Sequence, residues 1–122
     1  MASVLIVDDS NYTRRTHRRI LESDGHDVLE AASGLSAIES FFTHRPDLVL
    51  LDLTMEDMSG LEVLRQLRSL EADARVVVIS ADVQRTTAQM VAESGAVAFL
   101  GKPVTAEGLT QAVRTALGAP SS

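Results

Sequence analysis

Five short apolar runs recur along the 122-residue chain, and a stretch of helical spacing separates each from the next. The runs are Val4-Leu5-Ile6-Val7, Asp27-Val28-Leu29-Glu30, Leu48-Val49-Leu50-Leu51, Val76-Val77-Val78-Ile79 and Ala98-Phe99-Leu100. Three of them are continuously apolar, the pattern of strands covered on both faces, as in a parallel sheet with helices on either side. The first intervening stretch predicts a helix from about Ser10 to Ser23, with Ser10 or Asp9 as its cap and Gly25 just past its end. The second runs from about Gly34 to His44, ahead of Pro46. A third begins near Ser59-Gly60 and carries Leu61, Leu64 and Leu67 on one side. A fourth covers about Val83 to Glu93, before Gly95, and a fifth follows Thr105 with Leu109, Val113 and Leu117.

Such alternation predicts an α/β domain: a doubly wound five-stranded parallel sheet with five helices. The expected strand order is 2-1-3-4-5, the flavodoxin-like arrangement. One domain over residues 1–118 accounts for every element, leaving residues 119–122 as a short flexible tail. The chain has no cysteine, which excludes disulfides, thiolate zinc sites and a thiol nucleophile. A formal net charge of −6 argues against a general nucleic-acid binder. The apolar runs are far shorter than the ~20 residues that cross a bilayer. Met1-Ala2-Ser3 leads straight into a strand-like run, so neither membrane insertion nor a signal peptide is expected, and the expected location is cytoplasmic.

In open α/β sheets, ligands bind outside the carboxyl ends of the strands. Here the first strand ends in Asp8-Asp9, the third in Asp52 and the fourth in Ser80-Ala81, while Gly101-Lys102-Pro103 follows the fifth. Three carboxylates, a hydroxyl and an ammonium thus meet on one rim. Like charges ~4 Å apart repel by ~4 kcal/mol at an effective dielectric of ~20. Such a cluster either raises a pKa or takes up a cation. Oxygen donors suit Mg²⁺, and a metal with a nearby Lys can neutralise a phosphoryl group while a carboxylate attacks it in line. Each residue alone has an ordinary reading, since an Asp or Ser after a strand is commonly a cap and Lys-Pro commonly a loop. The combination at four strand ends carries the functional reading.

At these residues the sequence resembles the receiver domain of two-component response regulators. The resemblance runs from Val4 to Leu117. It rests on Val4–Ser10, on Pro46–Met55, on Gly60, on Val78-Ile79-Ser80-Ala81, on Gly95-Ala96 and on Phe99-Leu100-Gly101-Lys102-Pro103. It implies a stand-alone receiver of the chemotaxis or phosphorelay type, a signalling domain with only self-directed phosphotransfer and autodephosphorylation. Asp52 would accept the phosphoryl group from a histidine kinase or histidine phosphotransfer protein. Asp9 would ligate Mg²⁺ directly, Asp8 mainly through water, and the Thr54 carbonyl would complete the protein ligands with Asp52. Lys102 would pair with a phosphoryl oxygen. Ser80 would move toward the phosphoryl group, and Phe99, at the aromatic switch position, would turn inward as it does. The residues two past the acceptor and the switch hydroxyl, Thr54 and Asp82, would set access of the hydrolytic water, with Asp82 orienting it. The alternative is a non-phosphorylated pseudo-receiver acting as a constitutive interaction module. A small phosphohydrolase would also use an Asp nucleophile and Mg²⁺, but Thr54 stands where its second acid is expected.

One departure concerns the residue after Met55, usually Pro in receivers and here Glu56, followed by Asp57. The loop loses the stiffness of Pro and gains two charges near Asp52. Its ordinary reading is a solvated variant; the sharper one is altered Mg²⁺ affinity or slower phosphorylation. The predicted first helix carries Arg14, Arg15, Arg18 and Arg19 over an arc of roughly 140°, with Thr13, Thr16, His17 and Ile20 opposite, toward the core. The arginines admit two readings, a solvated face and a docking face. Receivers often dock their phosphodonor through this helix and the loop after the fifth strand, where Pro103 lies. The downstream protein target is unknown.

Overall fold

The computed structural model describes residues 2–118. Strand and helix alternate throughout: β1 (Ser3–Val7), α1 (Asn11–Ser23), β2 (Asp27–Ala31), α2 (Gly34–His44), β3 (Leu48–Asp52), α3 (Gly60–Leu70), β4 (Val76–Ser80), α4 (Arg85–Glu93), β5 (Ala98–Gly101) and α5 (Ala106–Gly118). The five strands form one parallel sheet in the expected order β2-β1-β3-β4-β5. The expected tail lies outside the described residues.

The continuous apolar runs supply the central strands. Every residue of β3 and β4 is buried. Alternate side chains of the strands feed two separate cores. Leu5, Val7, Val49, Leu51, Val76 and Val78 pack beneath α2, α3 and α4. Val4, Ile6, Leu48, Leu50, Val77 and Ile79 pack beneath α1 and α5. Burying one such side chain stabilises the fold by roughly 1.5–3 kcal/mol.

Local signals fix the helix starts. Ser10, Ser33 and Ser59 each accept a hydrogen bond from a first-turn N–H of α1, α2 and α3. α4 begins at Arg85, two residues later than the expected Val83, and its N-cap Gln84 makes no side-chain cap bond. Gly60 lets α3 start directly against the end of β3. Its N–H donates to the Leu53 carbonyl at 2.8 Å, and a Cβ there would lie 2.5 Å from Leu53 Cα.

The register brings the strand ends to one level. Val7 pairs with Leu51, Asp52 with Ile79, and Ser80 with Gly101. The residues that follow therefore emerge together at a single rim.

Candidate functional site

The rim gathers the acids that the sequence singles out. Carboxylate oxygens of Asp8, Asp9 and Asp52 lie within 4.8 Å of one another. Asp8 and Asp52 are buried, whereas Asp9 is exposed. Lys102 reaches in from the loop after β5, with Nζ 3.5 Å from Asp52 Oδ1 and 3.9 Å from Asp8 Oδ2. The Lys102 backbone N–H donates to the Ser80 carbonyl at 2.9 Å, tying that loop to the end of β4. The Lys102–Pro103 peptide bond is cis.

Burial is the main force on Asp52 and raises its pKa; the Asp8 carboxylate raises it further. Lys102 and the Thr54 N–H, which donates to Asp52 Oδ1 at 3.3 Å, act the other way. Three carboxylates face one ammonium, so negative charge remains in excess. The donors on the rim are all oxygen, and the charge imbalance calls for a cation. Both features fit a hard divalent ion such as Mg²⁺.

Ser80 is buried, and its hydroxyl accepts a hydrogen bond from the Asp82 N–H at 3.0 Å. Phe99 is partly buried against the core beneath α2, α3 and α4. Thr54 is exposed. Asp82 differs from expectation. One of its carboxylate oxygens accepts the Gln84 N–H at 3.0 Å and the other the Thr87 hydroxyl at 2.7 Å. These bonds, led by that from Thr87, hold its pKa low. Asp82 thus ties down the start of α4 through both of its carboxylate oxygens. An Asp just ahead of a helix that lacks a cap at its own N-cap position is the sequence signal for this role.

The β3–α3 loop carries a second such anchor. Asp57 accepts the backbone N–H groups of Gly34 and Leu35 at 2.9 and 3.2 Å, at the start of α2. Those bonds lower its pKa, and the charge sits where a helix N-terminus favours an anion. The beginning of α2 and the loop meet closely, since a Cβ on Gly34 would stand 2.4 Å from Met58 Cγ. Glu56 stays exposed. The loop that lacks Pro is therefore held by Asp57, through a contact across 23 residues that local pattern does not reveal.

The arginine arc of α1 requires a correction. Arg14 does not share a solvent face with the others. It is 9% exposed and lies on the buried side with His17 and Leu21. Its guanidinium donates to the Asp8 carbonyl at 2.6 Å, to Glu30 Oε1 at 3.0 Å and to Asn11 Oδ1. Arg18 pairs with Glu22 at 3.2 Å and with Glu30 at 2.5 Å. Arg15 and Arg19 are exposed, and Arg18 is partly exposed. A buried arginine escapes hydropathy patterns because its residue type reads as surface. His17, expected as a partly buried helix residue, is 7% exposed; burial lowers its pKa.

Beside α1, the residues Tyr12, Thr13, Thr16, His17, Pro103 and Val104 border a groove of about 450 Å³ that reaches Lys102. Tyr12 is 77% exposed at its edge.

A parallel sheet with a carboxylate cluster and a lysine at its strand ends is the arrangement to set beside known proteins. Residues 4–114 match the response regulator receiver domain. The chain belongs to this family, the receivers of two-component systems. The chemotaxis protein CheY of Bacillus subtilis is 35% identical over 115 residues, covering 93% of this chain and 96% of the relative. The polar-differentiation response regulator DivK of Brucella ovis is 28% identical over 118 residues, covering 95% and 96%. A crystal structure of the CheX–CheY–BeF₃–Mg²⁺ complex from Borrelia burgdorferi superposes with a TM-score of 0.92 at 32% identity, covering 96% of this chain and 90% of that one.

Proposed function

We propose that this chain is a stand-alone receiver of the cytoplasm that takes a phosphoryl group onto Asp52 from a phosphohistidine protein and switches partner binding as a result. The observation that carries the proposal is the Asp52–Lys102 contact of 3.5 Å within the acid cluster, at the end of a wholly buried strand. Relatives of nearly equal length support the stand-alone reading.

In the transfer, an Asp52 oxygen attacks phosphorus in line. A P–O bond forms as the P–N bond to the donor imidazole breaks, and the electron pair stays on that nitrogen. Lys102 meets a phosphoryl oxygen and holds the negative charge. Asp8, Asp9, Asp52 and the Thr54 carbonyl would hold Mg²⁺, which supplies charge neutralisation on the transferring oxygens. Ser80 then leaves the Asp82 N–H and turns its hydroxyl to the phosphoryl group, and Phe99 follows into the space behind it. Water attacking Asp52-bound phosphorus ends the signal, with Asp52 as leaving group. The chain acts only on its own phosphoryl group.

For the donor, the groove between Tyr12 and Pro103 offers an apolar seat beside Lys102, and Arg15 and Arg19 offer positive charge along the same helix. This suits a histidine kinase or histidine phosphotransfer domain with an acidic rim. Arg14 is buried in its ion pair with Glu30 and drops out of the docking face, while the charge of Arg18 is offset by Glu22 and Glu30 at the surface.

Mass spectrometry after incubation with a small acyl-phosphate donor and Mg²⁺ tests the acceptor. Wild type gains one phosphoryl group and Asp52→Asn gains none. An equal gain in the variant removes Asp52 as acceptor, and no gain in wild type returns the chain to the constitutive reading.

A further inference from the structure

We propose that Arg14 is a positioning residue for the metal site, acting by pinning the peptide between Asp8 and Asp9. This rests on the reading that the acid cluster holds Mg²⁺. Three observations converge on it. Arg14 is a buried cation directly behind the acid cluster, not a surface charge. Its guanidinium is held on three sides, by Glu30 from β2, by Asn11 from the first turn of α1 and by the Asp8 carbonyl. Among the described residues, no hydrogen bond or ion pair restrains the Asp9 carboxylate, although it belongs to the cluster.

The peptide unit is planar, so holding the Asp8 oxygen also fixes the direction of the Asp9 N–Cα bond. The Asp9 side chain springs from that point. Its aim toward Asp8 and Asp52 is therefore set by the backbone behind it, which Arg14 holds at 2.6 Å. The rest of the turn is already fixed. The Asp8 N–H donates to the Ala31 carbonyl, and Asp8 Oδ1 accepts the Ser10 N–H at 2.9 Å. The Asp8 carbonyl is the remaining hinge. A charged, forked donor suits the task because one plane can bond Glu30 and the carbonyl together. The charged groups that act most on Asp52 are Asp8 and Lys102. The role assigned to Arg14 is to hold the geometry of the turn.

The test is Mg²⁺ affinity by calorimetry, on protein shown to be folded by circular dichroism. Variants are Arg14→Lys, Arg14→Met, Glu30→Gln and Arg18→Ala, with Asp9→Ala as a site control. Expected are a roughly tenfold weaker Kd for Arg14→Met, a loss nearly as large for Arg14→Lys, and about threefold for Glu30→Gln. Arg18→Ala, which touches Glu30 but not the Asp8 carbonyl, keeps the wild-type Kd. Wild-type Kd in Arg14→Met or in Glu30→Gln, with only the unfolding midpoint lowered, overturns the inference and leaves a structural role. Full rescue by Lys overturns the geometric account. Equal binding by wild type and Asp9→Ala instead removes the metal site itself.

Discussion

At Asp52 the chain holds a carboxylate only 6% exposed beside a second buried carboxylate, Asp8, with Lys102 as the compensating charge. Burial and Asp8 raise the Asp52 pKa above that of the unfolded chain. The folded state therefore favours the protonated acid. That contribution is fully present below the unfolded pKa of about 4 and is lost as pH rises through the raised value. At neutral pH, ionised Asp52 costs stability, and Asp52→Asn relieves the cost. In urea denaturation without Mg²⁺, the variant is expected to be more stable by the order of 1 kcal/mol at pH 7, a fraction of the unshielded repulsion because Lys102 offsets part of it. The gap closes below pH ~4, where both side chains are neutral. Identical curves at pH 7 would show that Lys102 already balances the site. Asp52, Asp8, Asp9 and Lys102 were legible in the sequence because each ends or follows an apolar strand run. Arg14 was not, because its partners are the backbone of Asp8 and a residue of the neighbouring strand.

Among the helices, α4 has the thinnest anchorage. Val91 is its one buried residue, its N-cap side chain makes no cap bond, and residues 81–86 are all exposed. By contrast α3 buries Gly60, Val63, Leu64 and Leu67. Local opening follows such differences in burial, so amide exchange in α4 is expected to be faster than in α3 under native conditions. Equal protection in the two helices would contradict this. The Asp82 carboxylate is what ties down the start of α4, and the Asp82 N–H is bonded to Ser80. Asp82→Ala should loosen the start of α4 and speed exchange of the Gln84–Ala88 amides. The variant separates capping from water positioning. A longer-lived acyl-phosphate with unchanged exchange would favour the role in orienting water. Faster exchange with an unchanged lifetime fits the cap. The Asp57 anchor at α2 predicts a similar loosening, a lower urea midpoint for Asp57→Ala with shifted Gly34 and Leu35 amide resonances. A variant indistinguishable from wild type in both readouts would leave the loop held by Met58 packing alone.

Over the whole molecule, the alternation of apolar runs and helical spacing was sufficient for a parallel sheet covered on both faces, because parallel strands need crossovers and crossovers need helices. The strand order was a choice among doubly wound arrangements that the same alternation allows. Besides the later start of α4, strand boundaries moved: β1 starts one residue earlier, β2 ends one later at Ala31, and β3, β4 and β5 each run one residue further to take in Asp52, Ser80 and Gly101. At those last three ends hydrogen bonding continues after apolarity stops, so hydropathy ends each run one residue early. Charge distribution was harder to read, since Glu30 of the neighbouring strand, which the helix pattern does not contain, pairs with both Arg14 and Arg18. What remains is a small positive area, Arg15 and Arg19, on a protein of net charge −6. Against that background, attraction to an acidic donor is local and sensitive to salt. Phosphotransfer from a cognate phosphohistidine protein is expected to slow as salt rises, and to slow about three- to tenfold when Arg15 and Arg19 are both changed to Glu, a barrier increase of ~0.7–1.4 kcal/mol. The double variant should lose most of the salt dependence. Phosphorylation by a small acyl-phosphate should proceed at the wild-type rate, since neither arginine touches Asp52. Equal slowing with both donors would mean that the site or fold is damaged. An unchanged rate with the protein donor would place docking away from this side of α1.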